Sequence, residues 1–317
     1  MTQEPDNGSA AQAVGGIDLG GTKIEIVALD GSREVLRHRV PTPQSAYQDT
    51  VAAIRELVTS AESKLGRRGT VGVAIPGAIS ARTGLVKNAN STRLIGHPLD
   101  KDLEAALARP IRVANDANCF TLSEACDGAA SGADVVFGII VGTGCGGGVS
   151  VGGRVLNGAH AITGEWGHNP LPAPRPDEIS AAPQCYCGRV SCIEAWISGT
   201  GLAADFKRRT GRDLHGPDIG AAADAGDNQA RAVMEDFYDR FARSVAGVVN
   251  ILDPDAIVIG GGLSNIDRLY AELPARVEAY AFTPEGPSRI VKNLHGDSSG
   301  VRGAAWLWSE AEADAPR

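Results

Sequence analysis

Val14-Gly15-Gly16-Ile17-Asp18-Leu19-Gly20-Gly21-Thr22-Lys23-Ile24-Glu25-Ile26-Val27-Ala28-Leu29-Asp30 decides the fold. The stretch reads as strand, glycine turn, strand, with alternation through Ile24, Ile26 and Ala28. Its tip offers backbone N–H groups, the Thr22 hydroxyl, the Lys23 cation and the Asp18 carboxylate at one turn, a set suited to phosphate and Mg²⁺. A hairpin that merely needs glycines accounts for Gly20-Gly21 but not for Asp18 and Lys23 beside them. Two common nucleotide motifs are excluded. Neither glycine turn of the chain gives a full G-x-G-x-x-G leading into a helix, and no G-x-x-x-x-G-K-[ST] occurs.

The opening pattern returns in Val135-Val136-Phe137-Gly138-Ile139-Ile140-Val141-Gly142-Thr143-Gly144-Cys145-Gly146-Gly147-Gly148-Val149-Ser150-Val151, where Gly138-Ile139 and Gly142 match Gly16-Ile17 and Gly20 at one constant offset. The same unit at the head of each half predicts two related α/β domains. Between them the pattern predicts a strand over 34–40, a helix over 47–65, a buried strand over 71–75 ending at Pro76-Gly77, a helix over 101–108, a strand over 111–114 and a helix over 119–128. Helices follow over 194–210 and 229–252, then a buried strand over 256–259 ending in Gly260-Gly261-Gly262. An amphipathic helix over 300–311 closes the chain against the first domain. The resulting division is a small lobe of 14–125 plus 300–317, a larger lobe of 126–299, and a disordered leader over 1–13.

At 317 residues the chain is long enough for about two domains. With 43% hydrophobic and 21% charged residues it has an ordinary globular composition, and the 40 glycines point to backbone that must approach something closely, commonly phosphate. A net charge of −8 argues against nucleic acid as partner and favours a small molecule. No run resembles a membrane span or a signal peptide. Cys119, Cys126 and Cys145 are scattered singles, a cytoplasmic pattern rather than a disulfide framework.

Four further motifs carry chemistry. Gly142-Thr143-Gly144 and Gly260-Gly261-Gly262 could hold phosphates and leave a flat surface for adenine. Asp116 follows a strand and opens a helix, where a carboxylate can take the proton of a substrate hydroxyl; for an isolated Asn-Asp pair, helix capping is the commoner role. His168, Cys185, Cys187 and Cys192 match a tetrahedral Zn²⁺ site, and four protein ligands make it closed and structural. Glu165 and Glu194 flank that set. His168 can bind metal through one nitrogen while the other, then N–H, donates to a substrate oxygen.

These motifs resemble the ROK family of sugar kinases and repressors across residues 14–308, and within it bacterial fructokinases of the mannofructokinase type. The resemblance rests on Gly16-Ile17-Asp18-Leu19-Gly20-Gly21-Thr22-Lys23, Lys87-Asn88-Ala89-Asn90-Ser91-Thr92, Asn115-Asp116-Ala117-Asn118-Cys119, Gly164-Glu165-Trp166-Gly167-His168-Asn169-Pro170 and His295-Gly296-Asp297-Ser298-Ser299-Gly300-Val301-Arg302-Gly303. It implies the actin-like, hexokinase-like ATPase fold, with two RNase H-like lobes and an interlobe cleft. It makes Asp116 the general base and Asn90, Asn115, Asp116, Glu165, His168 and Glu194 the hexose ligands. Asp18, Gly20, Gly21, Thr22 and Lys23, with Gly142, Thr143 and Gly144, would hold the phosphates of ATP, Asp18 reaching Mg²⁺ through water. Gly260, Gly261 and Gly262 would receive the nucleoside. One departure stands out, since Ser191 occupies a position where the family commonly has glycine.

The reading is therefore an ATP-dependent kinase turning D-fructose into D-fructose 6-phosphate, with mannose, glucose or N-acetylglucosamine as alternatives, and family habit implies a homodimer. A sugar-responsive regulator of the same family is the second hypothesis, but residues 1–13 are too few for a helix-turn-helix. A zinc hydrolase, the third, needs an open metal position.

Overall fold

A computed structural model describes residues 14–89, 91–309 and 312. The chain divides into two compact units, Met1–Asp116 with Val301–Arg317, and Ala117–Gly300. The leader expected over 1–13 lies outside the described residues.

The first unit is built on β1 (Val14–Leu19), β2 (Lys23–Asp30), β3 (Arg33–Pro41), α1 (Tyr47–Leu65), β4 (Thr70–Ile75), the short β5 (Ala78–Ile79) and β6 (Val86–Lys87), α2 (Leu99–Leu107) and β7 (Ile111–Asn115). Its sheet runs β3-β2-β1-β4-β7, antiparallel across β3, β2 and β1 and parallel from β1 through β4 to β7. All six residues of β4 are buried, as expected of a parallel strand covered on both faces. On one face α1 inserts Ile54, Leu57, Val58 and Ala61, whose spacing predicted this helix.

In the second unit come α3 (Asp116–Cys126, whose first residue belongs to the first unit), β8 (Val135–Val141), β9 (Cys145–Val151), β10 (Arg154–Val155), α4 (Pro176–Ser180), α5 (Glu194–Ile197), α6 (Gly199–Thr210), α7 (Gly216–Asp224), α8 (Asn228–Leu252), β11 (Ala256–Gly260), α9 (Arg268–Glu278) and β12 (Ile290–Lys292). The sheet order is β10-β9-β8-β11-β12, the same pattern of two antiparallel pairings followed by two parallel ones. The repeat seen in sequence is thus a repeat of topology. The boundary falls at Asp116/Ala117 rather than at 125/126, because α3 packs on the second sheet: Phe120 lies against Gly260, and Thr121 against Gly138 and Gly148. A Cβ on any of these three glycines would collide with that helix.

The first unit is completed by α10 (Ser299–Ala305), shorter than the helix expected over 300–311. It lies so close to the sheet that side chains on Gly16 or Gly72 would strike the Val301 or Ala304 carbonyl. Beyond it the Trp308 indole N–H donates to the Val71 carbonyl at 2.8 Å. Among the described residues no helix is long and apolar enough to cross a membrane.

Candidate active site and metal centre

In the first unit the parallel strands β1, β4 and β7 end on one side of the sheet, where α/β sites form. The Asp18 turn, Pro76-Gly77 and Asn115-Asp116 all stand at those strand ends. The turn is held by its carbonyls. Thr42 Oγ1 donates to the Gly20 carbonyl at 2.8 Å and Gln44 Nε2 to the Gly21 carbonyl at 3.0 Å. Burial, and after it the charges of Asp116 and Glu25, push the Asp18 carboxyl up to about 6. Asp18, in β1, thus feels the charge of Asp116, which opens α3 just after β7. Asn90 lies outside the described residues, but its neighbour Ser91 places its hydroxyl 3.5 Å from the position a Gly21 Cβ would take.

In the second unit, packing accounts for the glycines and the tryptophan of Gly164-Glu165-Trp166-Gly167-His168. Gly164 and Gly167 press their backbone onto Gly147 and Cys145 of β9, where a side chain would collide. The buried Trp166 donates its indole N–H to the Gly146 carbonyl at 3.1 Å. Glu165 remains exposed and His168 partly exposed at this anchored segment.

His168 Nδ1 lies 3.6 Å from Cys185 Sγ, Cys187 Sγ lies 3.6 Å from Cys192 Sγ, and the four ligand atoms all fall within 4.8 Å of one another. Zinc–sulfur bonds of about 2.3 Å and zinc–nitrogen bonds of about 2.0 Å give tetrahedron edges of about 3.5–3.8 Å, so the four residues fit the metal. Hydrogen bonding from Arg189, first its backbone N–H, lowers the Cys187 thiol to about 6, which favours the thiolate a metal needs. The loop is shaped by backbone, with Cys185 N–H donating to the Arg189 carbonyl at 2.8 Å. Since Nδ1 faces the thiols, Nε2 is turned away from them, and it lies 3.0 Å from the Tyr186 hydroxyl.

The Gly142-Thr143-Gly144 turn joins β8 to β9. Its three carbonyls accept from Gly199 N–H at 2.7 Å, Thr200 Oγ1 at 2.6 Å and Gly142 N–H at 3.0 Å. Glu194 Oε2 accepts the Cys145 N–H at 2.8 Å. The helix expected over 194–210 is broken at Ser198, whose hydroxyl caps α6 by accepting the Gly201 N–H at 3.0 Å. That break brings Gly199 and Thr200 to the turn; Ser198-Gly199-Thr200-Gly201 carried the signal, a capping serine among glycines. Gly142, Thr143 and Gly262 share a cavity of about 390 Å³ with Thr200, Ala203, His215, Pro217 and Leu263, residues that the sequence reading had not singled out. Gly260, the last residue of β11, faces Phe120; after the strand, Gly261 sits against Val141 and Gly262 has open space at its Cα.

A model of the ROK family matches residues 14–311. An N-acetyl-D-glucosamine kinase of Yersinia pseudotuberculosis is 42% identical over 296 residues, covering 92% of this chain and 97% of that protein. Among solved structures, the ROK hexokinase of Thermus thermophilus superposes with a TM-score of 0.83 at 32% identity, covering 93% of this chain and 97% of that one. A ROK glucokinase of Streptomyces griseus, in complex with glucose and AMPPNP, gives 0.72 at 27% identity, covering 93% and 98%.

Proposed function

This chain belongs to the ROK family, and on that premise we propose that it is an ATP-dependent hexose kinase whose substrate is N-acetyl-D-glucosamine, phosphorylated at the 6-hydroxyl. The chemistry is supported above all by Asp18 and Asp116, two carboxylates at the ends of β1 and β7 close enough that the charge of one raises the proton affinity of the other. Such a pair suits a site that works with a cation and a proton acceptor. The sugar is supported by the Yersinia relative, an N-acetyl-D-glucosamine kinase along nearly its whole length. Fructose, the first reading of the sequence, has no such support, and N-acetylglucosamine moves from alternative to leading substrate.

In this reading Asp116 accepts the proton of the 6-hydroxyl while that oxygen bonds to the γ-phosphorus of ATP and the bond to the bridging oxygen breaks, releasing ADP. Mg²⁺, reached by Asp18 through water, would offset charge on the phosphates. Asn115, Glu165, Glu194 and the Nε2–H of His168 read sugar hydroxyls, joined by Asn90. His168, Cys185, Cys187 and Cys192 would hold zinc, which would fix the tautomer and angle of the His168 ring and leave the transfer itself to Asp116. The Gly20-Gly21 and Gly142–Gly144 turns receive phosphates, and the cavity beside Gly262 receives the base.

A coupled ADP-release assay across N-acetylglucosamine, glucose, mannose and fructose tests the proposal. N-acetylglucosamine should give the highest kcat/KM by at least about tenfold, the discrimination expected when buried polar groups are matched to one ligand. Fructose in first place would reverse the substrate, and turnover of none of the four would remove the kinase reading.

A further inference from the structure

The segment carrying the last metal ligand also holds the glycine turn. From Cys192 the chain passes to Glu194, which accepts the Cys145 N–H, then to Gly199 and Thr200, which donate to the Gly142 and Thr143 carbonyls. Three hydrogen bonds thus fasten one short stretch, 194–200, to Gly142 and Thr143 of the turn and to Cys145 where β9 begins. Glu194 Oε2 lies just 2.7 Å from where a Gly144 Cβ would stand, so the turn and the carboxylate fix each other's position.

We propose that Glu194 is a positioning residue shared by two ligands: one carboxylate oxygen reads the hexose while the other sets the phosphate turn, so that sugar and nucleotide bind cooperatively through the second unit. The inference rests on the kinase reading, which assigns hexose to Glu194 and phosphate to the turn. When a sugar hydroxyl donates to Glu194, the carboxylate loses the freedom to swing off the Cys145 N–H, and the turn is ordered before nucleotide arrives. Linkage makes the effect reciprocal, since nucleotide that orders the turn holds Glu194 ready for sugar by the same factor.

Titration calorimetry with N-acetylglucosamine and AMPPNP, each alone and in the presence of the other, tests this on the full chain with no turnover. In the wild type each ligand should tighten the other by about 5–20-fold, within the usual range for coupled sites. Glu194→Gln keeps a carbonyl oxygen for the Cys145 N–H, so nucleotide alone should bind within about twofold of wild type while sugar weakens. Glu194→Ala should weaken nucleotide at least about fivefold even without sugar, and the difference between Ala and Gln is the signature of positioning. Gly144→Ala, a change in the turn, should weaken sugar about tenfold and bring the coupling factor to about one. The proposal is overturned if Glu194→Ala keeps wild-type affinity for AMPPNP, or if Gly144→Ala leaves sugar affinity and coupling unchanged. Melting curves establish that each variant folds. Should a variant not fold, the wild-type coupling decides, and independent binding of the two ligands overturns the proposal. A wild type that binds neither ligand removes the kinase reading itself, a different result from binding both without coupling.

Discussion

Ser191 holds a left-handed backbone, φ 58°, and its hydroxyl accepts the indole N–H of the buried Trp196 at 2.9 Å. The same indole has the Arg240 guanidinium 4.3 Å above it, and Arg240 is paired with Glu178 and Asp205 in the interior. A residue other than glycine at this φ is strained by about 1 kcal/mol, and the bond to Trp196 offsets that strain. Ser191 therefore keeps the loop shape that its family commonly builds with glycine.

Ser191→Ala retains the strain and leaves a buried N–H without its partner, so stability should fall by about 1–3 kcal/mol in urea unfolding. Ser191→Gly loses the same bond but relieves the backbone, and its midpoint should lie clearly above that of the alanine variant.

Asp18 carries a stability consequence with a definite sign. Its carboxyl ionises at about 6 in the folded chain against 3.8 for the free group, with burial the larger cause and Asp116 next. The folded state holds the proton more tightly, so its stability advantage is complete below pH 3.8 and is lost as pH rises through about 6, a difference of about 3 kcal/mol. Asp18→Asn removes that loss. The variant should be more stable than wild type by about 1–3 kcal/mol above pH 6, show no gain below pH 4, and be strongly impaired in turnover at all Mg²⁺ concentrations. A variant less stable than wild type at pH 7 would contradict the burial argument.

Asp116→Asn should lower kcat by about 10²–10⁴-fold, the range for a lost general base, while the calorimetric affinity for sugar changes by less than about fivefold. An asparagine variant with more than a tenth of wild-type kcat would remove Asp116 from the role of base.

Metal analysis of the purified protein should find one zinc per chain, and Cys187→Ser should lose it. Chelation should lower Tm by about 5–10 °C, at about 2–4 °C per kcal/mol for a unit of this size, and weaken sugar binding with it. If the stripped protein melts as the native one does, the four residues do not form a structural brace.

The sequence shows α1 clearly because Ile54, Leu57, Val58 and Ala61 repeat at helical spacing on a single buried face. The paired hairpins were legible for a related reason, since strand alternation around a glycine turn is local. Glycine itself was harder to read. The abundance that suggests phosphate contact also serves helix packing, at Gly16 and Gly72 under α10 and at Gly138, Gly148 and Gly260 under α3. A glycine that admits a helix and one that admits a ligand look alike in a string. Glu194 was visible as an acid beside the cysteines, but its bond to Cys145 spans 49 positions and no local pattern announces it.

The packing of α10 on Gly16 and Gly72 bears on the order in which the molecule can be made. The second unit is one continuous stretch, Ala117–Gly300, whereas the first needs residues from both sides of it. During synthesis the second unit can therefore complete its core while β1, already made, still lacks the helix that covers it. One face of the first sheet, with Val27 and Leu29 on it, stays open until residues 301–308 emerge. Nascent chains halted before that point expose an apolar surface to chaperones that the finished protein hides.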